Sequence, residues 1–249
     1  DLQYLIRKQL LKFGEIFNYI GSASILMDVN NGEILSMVSL PDFDLNKRQN
    51  IKDKNYINRA TKGVYELGSV FKTFTFAAGI NEGIIKTDTK FVNLEKKIKC
   101  GKYIIGEYDN EIPSDLTAEE ILIRSGNIGS VRIGQRLGID RLRQFLSDIG
   151  VLNKIDFDLD EIGEPIPFKW GKCKLATTSF GHGITTTPLQ LAKGYSIITN
   201  GGYDLNPTLI KSNEKKERKK ILSSKVSNSI NPILRKIVST KEGTANFAN

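Results

Sequence analysis

Tyr65-Glu66-Leu67-Gly68-Ser69-Val70-Phe71-Lys72-Thr73-Phe74-Thr75-Phe76-Ala77-Ala78-Gly79-Ile80 reads as an apolar helix that opens with a serine and carries a lysine three residues later. That spacing puts Ser69 and Lys72 on one helical face within side-chain reach. Val70, Phe71, Phe74, Ala77, Ala78 and Ile80 make the helix apolar on too many sides for a surface element, so it is expected to run buried through the domain centre. There the ammonium of Lys72 loses solvation and meets the positive end of the helix dipole, and both effects favour the neutral amine. A serine hydroxyl is a weak nucleophile until a neighbouring base takes its proton, and Lys72 is placed to be that base. Gly68 permits a tight turn just before the serine. Against this, Ser-x-x-Lys arises by chance in many chains, and a serine at a helix start is most often only an N-cap.

Upstream, Leu2, Leu5, Ile6, Leu10, Phe13, Phe17 and Ile20 fall at three- and four-residue steps, the pattern of an amphipathic helix over residues 1–20 that covers an apolar surface. Residues 22–29 and 33–39 are β-rich runs around Asn30-Asn31-Gly32, strong turn chemistry for an antiparallel hairpin. Residues 41–58 are polar and aperiodic, a connecting loop. Beyond Gly83, residues 87–113 read as irregular chain with short strands. Thr117-Ala118-Glu119-Glu120 is a capping box whose short helix runs into Arg124-Ser125-Gly126-Asn127. Helices are expected at 128–137, stopped by Gly138, and at 141–149, capped by Asp140 and stopped by Gly150. Ser125-Gly126-Asn127 is then a joint between helices. It is either an ordinary helix break or a way of presenting a hydroxyl and an amide to a cleft. Residues 154–174 read as loop, and Thr187-Pro188-Leu189-Gln190 is a second capping box opening a helix to Asn200.

At 249 residues the chain is one large domain or two small ones, with 39% hydrophobic and 26% charged residues, as in a soluble globular protein. No apolar run approaches the roughly 20 residues that span a bilayer, and no signal peptide is expected. The start at Asp1 without a methionine suggests a piece of something longer. A net charge of +8 suits an anionic polymer, an anionic membrane surface or nucleic acid without choosing among them. Much of it lies in residues 211–220, read as a solvated loop or hairpin. Cys100 and Cys173 lie far apart without metal-ligand spacing and are expected as two buried thiols that leave the redox compartment open. His182, the sole histidine, would have to serve any Ser-His-Asp hydrolase. It is flanked by glycines, no Gly-x-Ser-x-Gly elbow exists, and it reads better as a loop histidine with a structural hydrogen bond. No phosphate-binding loop, metal-ligand cluster or RNA-binding strand is found, so no cofactor, metal or nucleic-acid partner is expected.

Several short stretches occur in a telling order: Asp28-Val29-Asn30-Asn31-Gly32-Glu33-Ile34-Leu35, Pro41-Asp42-Phe43-Asp44-Leu45-Asn46, Asn58-Arg59-Ala60 and Gly68-Ser69-Val70-Phe71-Lys72. Ser125-Gly126-Asn127-Ile128-Gly129, Ser179-Phe180-Gly181-His182-Gly183-Ile184, Thr187-Pro188-Leu189-Gln190-Leu191-Ala192 and Asn200-Gly201-Gly202 follow. In this the chain resembles a class B penicillin-binding protein over nearly its whole length. It is more similar to the septal, cell-division branch than to the elongation branch, because the second motif reads Ser-Gly-Asn where the elongation type would carry an aspartate.

The resemblance implies an α+β fold of the β-lactamase/transpeptidase-like kind, a helical subdomain plus an antiparallel sheet flanked by helices, as one transpeptidase domain over 1–249. By position, Ser69 would attack the D-Ala-D-Ala bond of a peptidoglycan stem peptide and become an acyl-enzyme, with Lys72 taking its proton. Ser125 would relay that proton to the departing D-Ala nitrogen, and Asn127 would hold the substrate amide and help fix Lys72. An amine of a second strand would then complete the cross-link, and β-lactams would acylate the same serine. The resemblance further implies a place at the periplasmic face of the bacterial inner membrane, with an anchor and pedestal outside this chain, a lipid II polymerase and divisome proteins as partners, and no cofactor.

The departures matter too. The family's third motif, Lys-[Thr/Ser]-Gly on a strand, does not occur; Lys241-Glu242-Gly243-Thr244-Ala245 lacks the middle hydroxyl. The chain is therefore expected to stop short of that motif and, taken alone, to be inactive or poorly folded, since one lost oxyanion donor typically costs about 10² to 10³ in rate. Only the early hairpin of the sheet would be present, and a lone hairpin is marginal without a packing partner. Leu67 and Leu45 stand where relatives often have proline, which alters loop stiffness and leaves the chemistry alone. Two alternatives remain. One is a serine β-lactamase or β-lactam sensor of the same fold, separated by fast deacylation; the other is a non-enzymatic basic binding domain, separated by salt-sensitive affinity for duplex DNA.

Overall fold

The computed structural model of the chain describes residues 2–44, 46–47, 56–211 and 218–248. β1 (Ser22–Met27) and β2 (Ile34–Leu40) form an antiparallel hairpin with Ser22 opposite Leu40, interrupted by a bulge at Leu26/Met27. Asp28 closes its turn, the carbonyl accepting from the Gly32 N–H and the carboxylate from the Asn30 N–H. Along β2 the period of two is plain, with Ile34, Ser36, Val38 and Leu40 buried. Ile34 packs in a small cluster with Ile155, Ile162 and Leu189.

α1 (Leu2–Phe17) forms within the expected helix and lies along β2, but it buries none of its residues, so it does not cover an apolar surface in the way its spacing suggests. Leu5, Phe13 and Phe17 are exposed, and the helix is held by polar contacts. Gln3 accepts from the Ser36 hydroxyl and the Met37 N–H and donates to the Met37 carbonyl, while Arg7 pairs with Asp42.

The main core gathers around α2 (Lys72–Asn81), where Phe74, Ala77 and Ala78 are wholly buried. α3 (Ala118–Ile123), α4 (Asn127–Leu137), α5 (Ile139–Asp148) and α8 (Ser224–Ser239) pack against it. α6 (Lys172–Thr178) lies against α4, and α7 (Pro188–Thr199) links α8 to the hairpin. Two further antiparallel pairs complete the described strands: β3 (Lys90–Phe91) with β6 (Leu116–Thr117), and β4 (Lys97–Cys100) with β5 (Tyr103–Gly106). The fold is thus α+β, and its sheets among the described residues are three two-stranded pairs.

Both capping boxes form, with Thr117 and Glu120 at α3 and Thr187 and Gln190 at α7. Elsewhere the chain departs from expectation. Asp140 does not cap α5; Gly138 occupies that position and Asp140 lies in the first turn. α6 begins in the last three residues of the stretch read as loop and continues past it to Thr178, and α8 forms where the sequence suggests no element. In α8, Pro232 sits mid-helix and obscures the stripe of Val226, Ile230 and Ile233 that meets the core. Lys241-Glu242-Gly243-Thr244-Ala245 is a turn packed back on the end of α8, with the Gly243 N–H donating to Thr240. Leu45 and residues 212–217 of the basic run lie outside the described residues.

The cysteines are not thiols. Cys100 and Cys173 form a disulfide, with Cα atoms 5.4 Å apart across a separation of 73 residues, and each is only half-buried. Sequence spacing could not show this, because β4 and α6 meet only in three dimensions. Closing so long a loop restricts the unfolded chain, so replacing both cysteines by serine should cost about 2 to 4 kcal/mol. Denaturant melts would show it, with a reductant destabilising the wild type and leaving the double variant unchanged.

Candidate active site

Ser69 does not open an α-helix. It lies in a 3₁₀ turn, Gly68–Phe71, whose N-cap is Leu67, and its side chain caps nothing. The hydroxyl is left exposed, with no hydrogen-bond partner among the described residues. Lys72, one turn on, is the first residue of α2 and only 2% exposed; its backbone N–H donates to the Ser69 carbonyl. The turn leaves Ser69 at the surface and carries Lys72 into the interior.

The turn is held from two sides. Tyr65 exchanges backbone hydrogen bonds with Thr186, and Tyr195 of α7 donates to the Val70 carbonyl at 2.8 Å while lying 2.9 Å from Thr73 Oγ1. On the other side, Gly181 comes so close that a Cβ there would lie 1.8 Å from the Gly68 carbonyl oxygen. Thr75 of α2 donates to the Ser179 carbonyl in the same segment. Ser179-Phe180-Gly181 is therefore the floor beneath the turn.

The Ser125-Gly126-Asn127 joint meets this turn at the lysine. Lys72 Nζ donates to Ser125 Oγ at 2.8 Å and to the Ser125 carbonyl. Ser125 holds a left-handed backbone, φ +53°, which costs a serine on the order of 1 kcal/mol and is retained by the surrounding hydrogen bonds. Burial pulls the Lys72 pKa down from 10.5 to about 8, while the negative charge of Glu107 pushes it back up. Roughly a tenth of the amine is thus neutral at pH 7, and about half at pH 8.

Of the four expected site residues, Lys72 and Ser125 meet through the Nζ–Oγ hydrogen bond, and Ser69 is tied to Lys72 through the backbone of its turn. Asn127 joins them differently. Its Nδ2 donates to the Gly106 carbonyl at 2.9 Å, at the end of β5, and no hydrogen bond joins it to Lys72 among the described residues. Gly106, Glu107 and Tyr195 are missed by sequence reasoning, since each acts across a contact between distant segments. His182 is exposed with its ring against Phe180 at 4.7 Å, and among the described residues its side chain has no partner for the structural hydrogen bond expected of it.

Residues 22–249 match the penicillin binding protein transpeptidase domain. The chain is 33% identical to a probable peptidoglycan D,D-transpeptidase FtsI of Caulobacter vibrioides, over 97% of this chain and 41% of that protein. Stage V sporulation protein D of Bacillus subtilis is 29% identical over 99% of this chain and 40% of its own length. The transpeptidase domain of penicillin-binding protein 3 from Burkholderia pseudomallei superposes with a TM-score of 0.86 at 22% identity, covering 99% of this chain and 71% of that one. The chain belongs to the penicillin-binding protein transpeptidase domain family. It spans about two-fifths of the length of the two relatives compared by sequence.

Proposed function

We propose that this domain, within its whole protein, is a peptidoglycan D,D-transpeptidase of septal cell-wall synthesis. The observation that carries the reading is the buried Lys72 amine, hydrogen-bonded to Ser125, three residues after the exposed Ser69 and joined to it through the backbone of the same turn. Neutral Lys72 takes the Ser69 proton as Oγ attacks the carbonyl between the two D-alanines. The proton passes through Ser125 to the leaving D-alanine nitrogen, and the amine of a second stem peptide releases the acyl-enzyme as a cross-link. Asn127, steadied by Gly106, offers its amide to the substrate backbone. A penicillin, whose strained amide imitates the scissile bond, acylates the same serine.

The septal assignment draws on the likeness to the Caulobacter and Bacillus proteins and on the Ser-Gly-Asn motif. We place the site at the periplasmic face of the inner membrane, working with a lipid II polymerase and divisome proteins. The Cys100–Cys173 disulfide supports an oxidising compartment. No described helix is long and apolar enough to cross a membrane.

Incubating the complete protein with a penicillin and measuring its intact mass tests the reading. One drug equivalent should add, map to the peptide bearing Ser69, and persist after free drug is removed. Rapid loss of the adduct would favour a β-lactamase, and an adduct elsewhere would sink both.

A further inference from the structure

α4 begins at Gly126, which has no side chain with which to cap it. The cap comes from twenty residues upstream. Glu107, just beyond β5, accepts the Asn127 N–H on Oε2 at 2.6 Å and the Ile128 N–H on Oε1 at 2.9 Å, a carboxylate astride a helix N-terminus. Gly106 beside it takes the Asn127 side chain, so two consecutive residues grip the joint by backbone and side chain together. Ser125, the residue with the left-handed backbone that places Oγ on Lys72, sits just before this grip.

We propose that Glu107 is the positioning residue of the Lys72–Ser125 pair, holding the Ser125-Gly126-Asn127 joint so that Ser125 Oγ stays on the lysine. The inference rests on the transpeptidase reading and extends it to a residue outside its motifs. Glu107 acts on the pair in a second way, through its charge. Among the charged groups on the elements around α2, Arg141 of α5 pairs with Glu82, Lys236 of α8 with Glu119, and Arg132 of α4 with Glu95. Lys174 of α6 donates to the Gly183 carbonyl, and Tyr195 of α7 to Val70. Tyr108 and Arg124 stand beside Glu107 itself, the tyrosine hydroxyl donating to the Arg124 carbonyl. Glu107 is the one whose field bears on Lys72, where it favours the ammonium.

The test measures acylation by a fluorescent penicillin between about pH 6 and 10 in the complete wild-type protein, E107Q and E107D, with thermal melts of each. Glutamine keeps one acceptor but turns an NH₂ toward the other N–H. E107Q should therefore acylate on the order of 10²-fold more slowly, as expected when a reacting group is misplaced. Its acid limb should also move to lower pH, because the charge that favours the ammonium is gone. E107D, with the charge restored, should return the limb toward its wild-type position. An E107Q acylation rate equal to the wild type's overturns the proposal, as does a limb that stays put in E107Q or loss of cooperative melting in both variants. Failure of the wild type to label would remove the transpeptidase reading itself, and this inference with it.

Discussion

Replacing Lys72 by alanine is expected to slow acylation of Ser69 by about 10² to 10⁴-fold, the span of a positioned general base. The turn that carries Ser69 should survive, because its hydrogen bonds run through the Val70 carbonyl and Thr73 to Tyr195 and through Tyr65 to Thr186. The loss should therefore appear in the acylation rate constant, followed by stopped-flow labelling, with the melting transition still cooperative. In the wild type that rate should rise with pH through about 8, where Lys72 gives up its proton, and the rise should vanish in the variant. A wild-type rate flat through this range would show that another group is the base.

The same lysine should mark the pH dependence of stability, with a definite sign. Its pKa in the fold, about 8, lies below its ordinary 10.5. Below about pH 8 the folded and unfolded chains both hold the proton, and the cost of burying the ammonium is fully present. Between 8 and 10.5 the unfolded chain binds more protons, so stability rises with pH as that cost is relieved. The shift corresponds to about 3 kcal/mol. A K72M variant loses this term, and its stability difference from the wild type should move in the wild type's favour as pH is raised across that window, as read by chemical denaturation.

The chemistry was legible where it depends on neighbours along the chain. A spacing of three, an apolar stretch and two capping boxes located the α2 region, the starts of α3 and α7, and Ser125 as a joint. Even there the local geometry differed: Ser69 sits on a 3₁₀ turn, so it is displayed to solvent, whereas an α-helical N-cap would have turned its oxygen toward its own backbone. What could not be read depends on long-range meetings. Glu107 has no periodic partner and becomes a cap only because β5 ends beside α4. Cys100 and Cys173 pair because a hairpin tip meets α6. α1 announces an apolar face by its spacing, yet its hydrogen bonds are made by Gln3 to β2 and by Arg7 to Asp42 just past the strand, residues the periodicity ignores.

Gly181→Ala is the second substitution with a large expected effect, and Gly68→Ala is its control. Both glycines have left-handed backbones, φ +88° and +65°, so alanine at either pays a conformational penalty of roughly 1 to 2 kcal/mol. At Gly68 that is all, since nothing lies within 4 Å of the place a Cβ would take. At Gly181 the methyl would fall 1.8 Å from the Gly68 carbonyl oxygen and 2.5 Å from its carbon. Those atoms are backbone and cannot rotate aside as a side chain would, so the turn or the floor beneath it must move. The turn bears Ser69, and a displacement of about 1 Å at a reacting atom is worth on the order of 10² in rate. Gly181→Ala should therefore lower acylation by at least about that factor and destabilise the domain by more than about 4 kcal/mol, in the range reserved for steric insertion at a strained site. Gly68→Ala should lose little beyond its backbone penalty and still label with penicillin. Equal melting points and equal acylation rates for the two variants would mean that the contact between the floor and the turn does not hold the nucleophile in place.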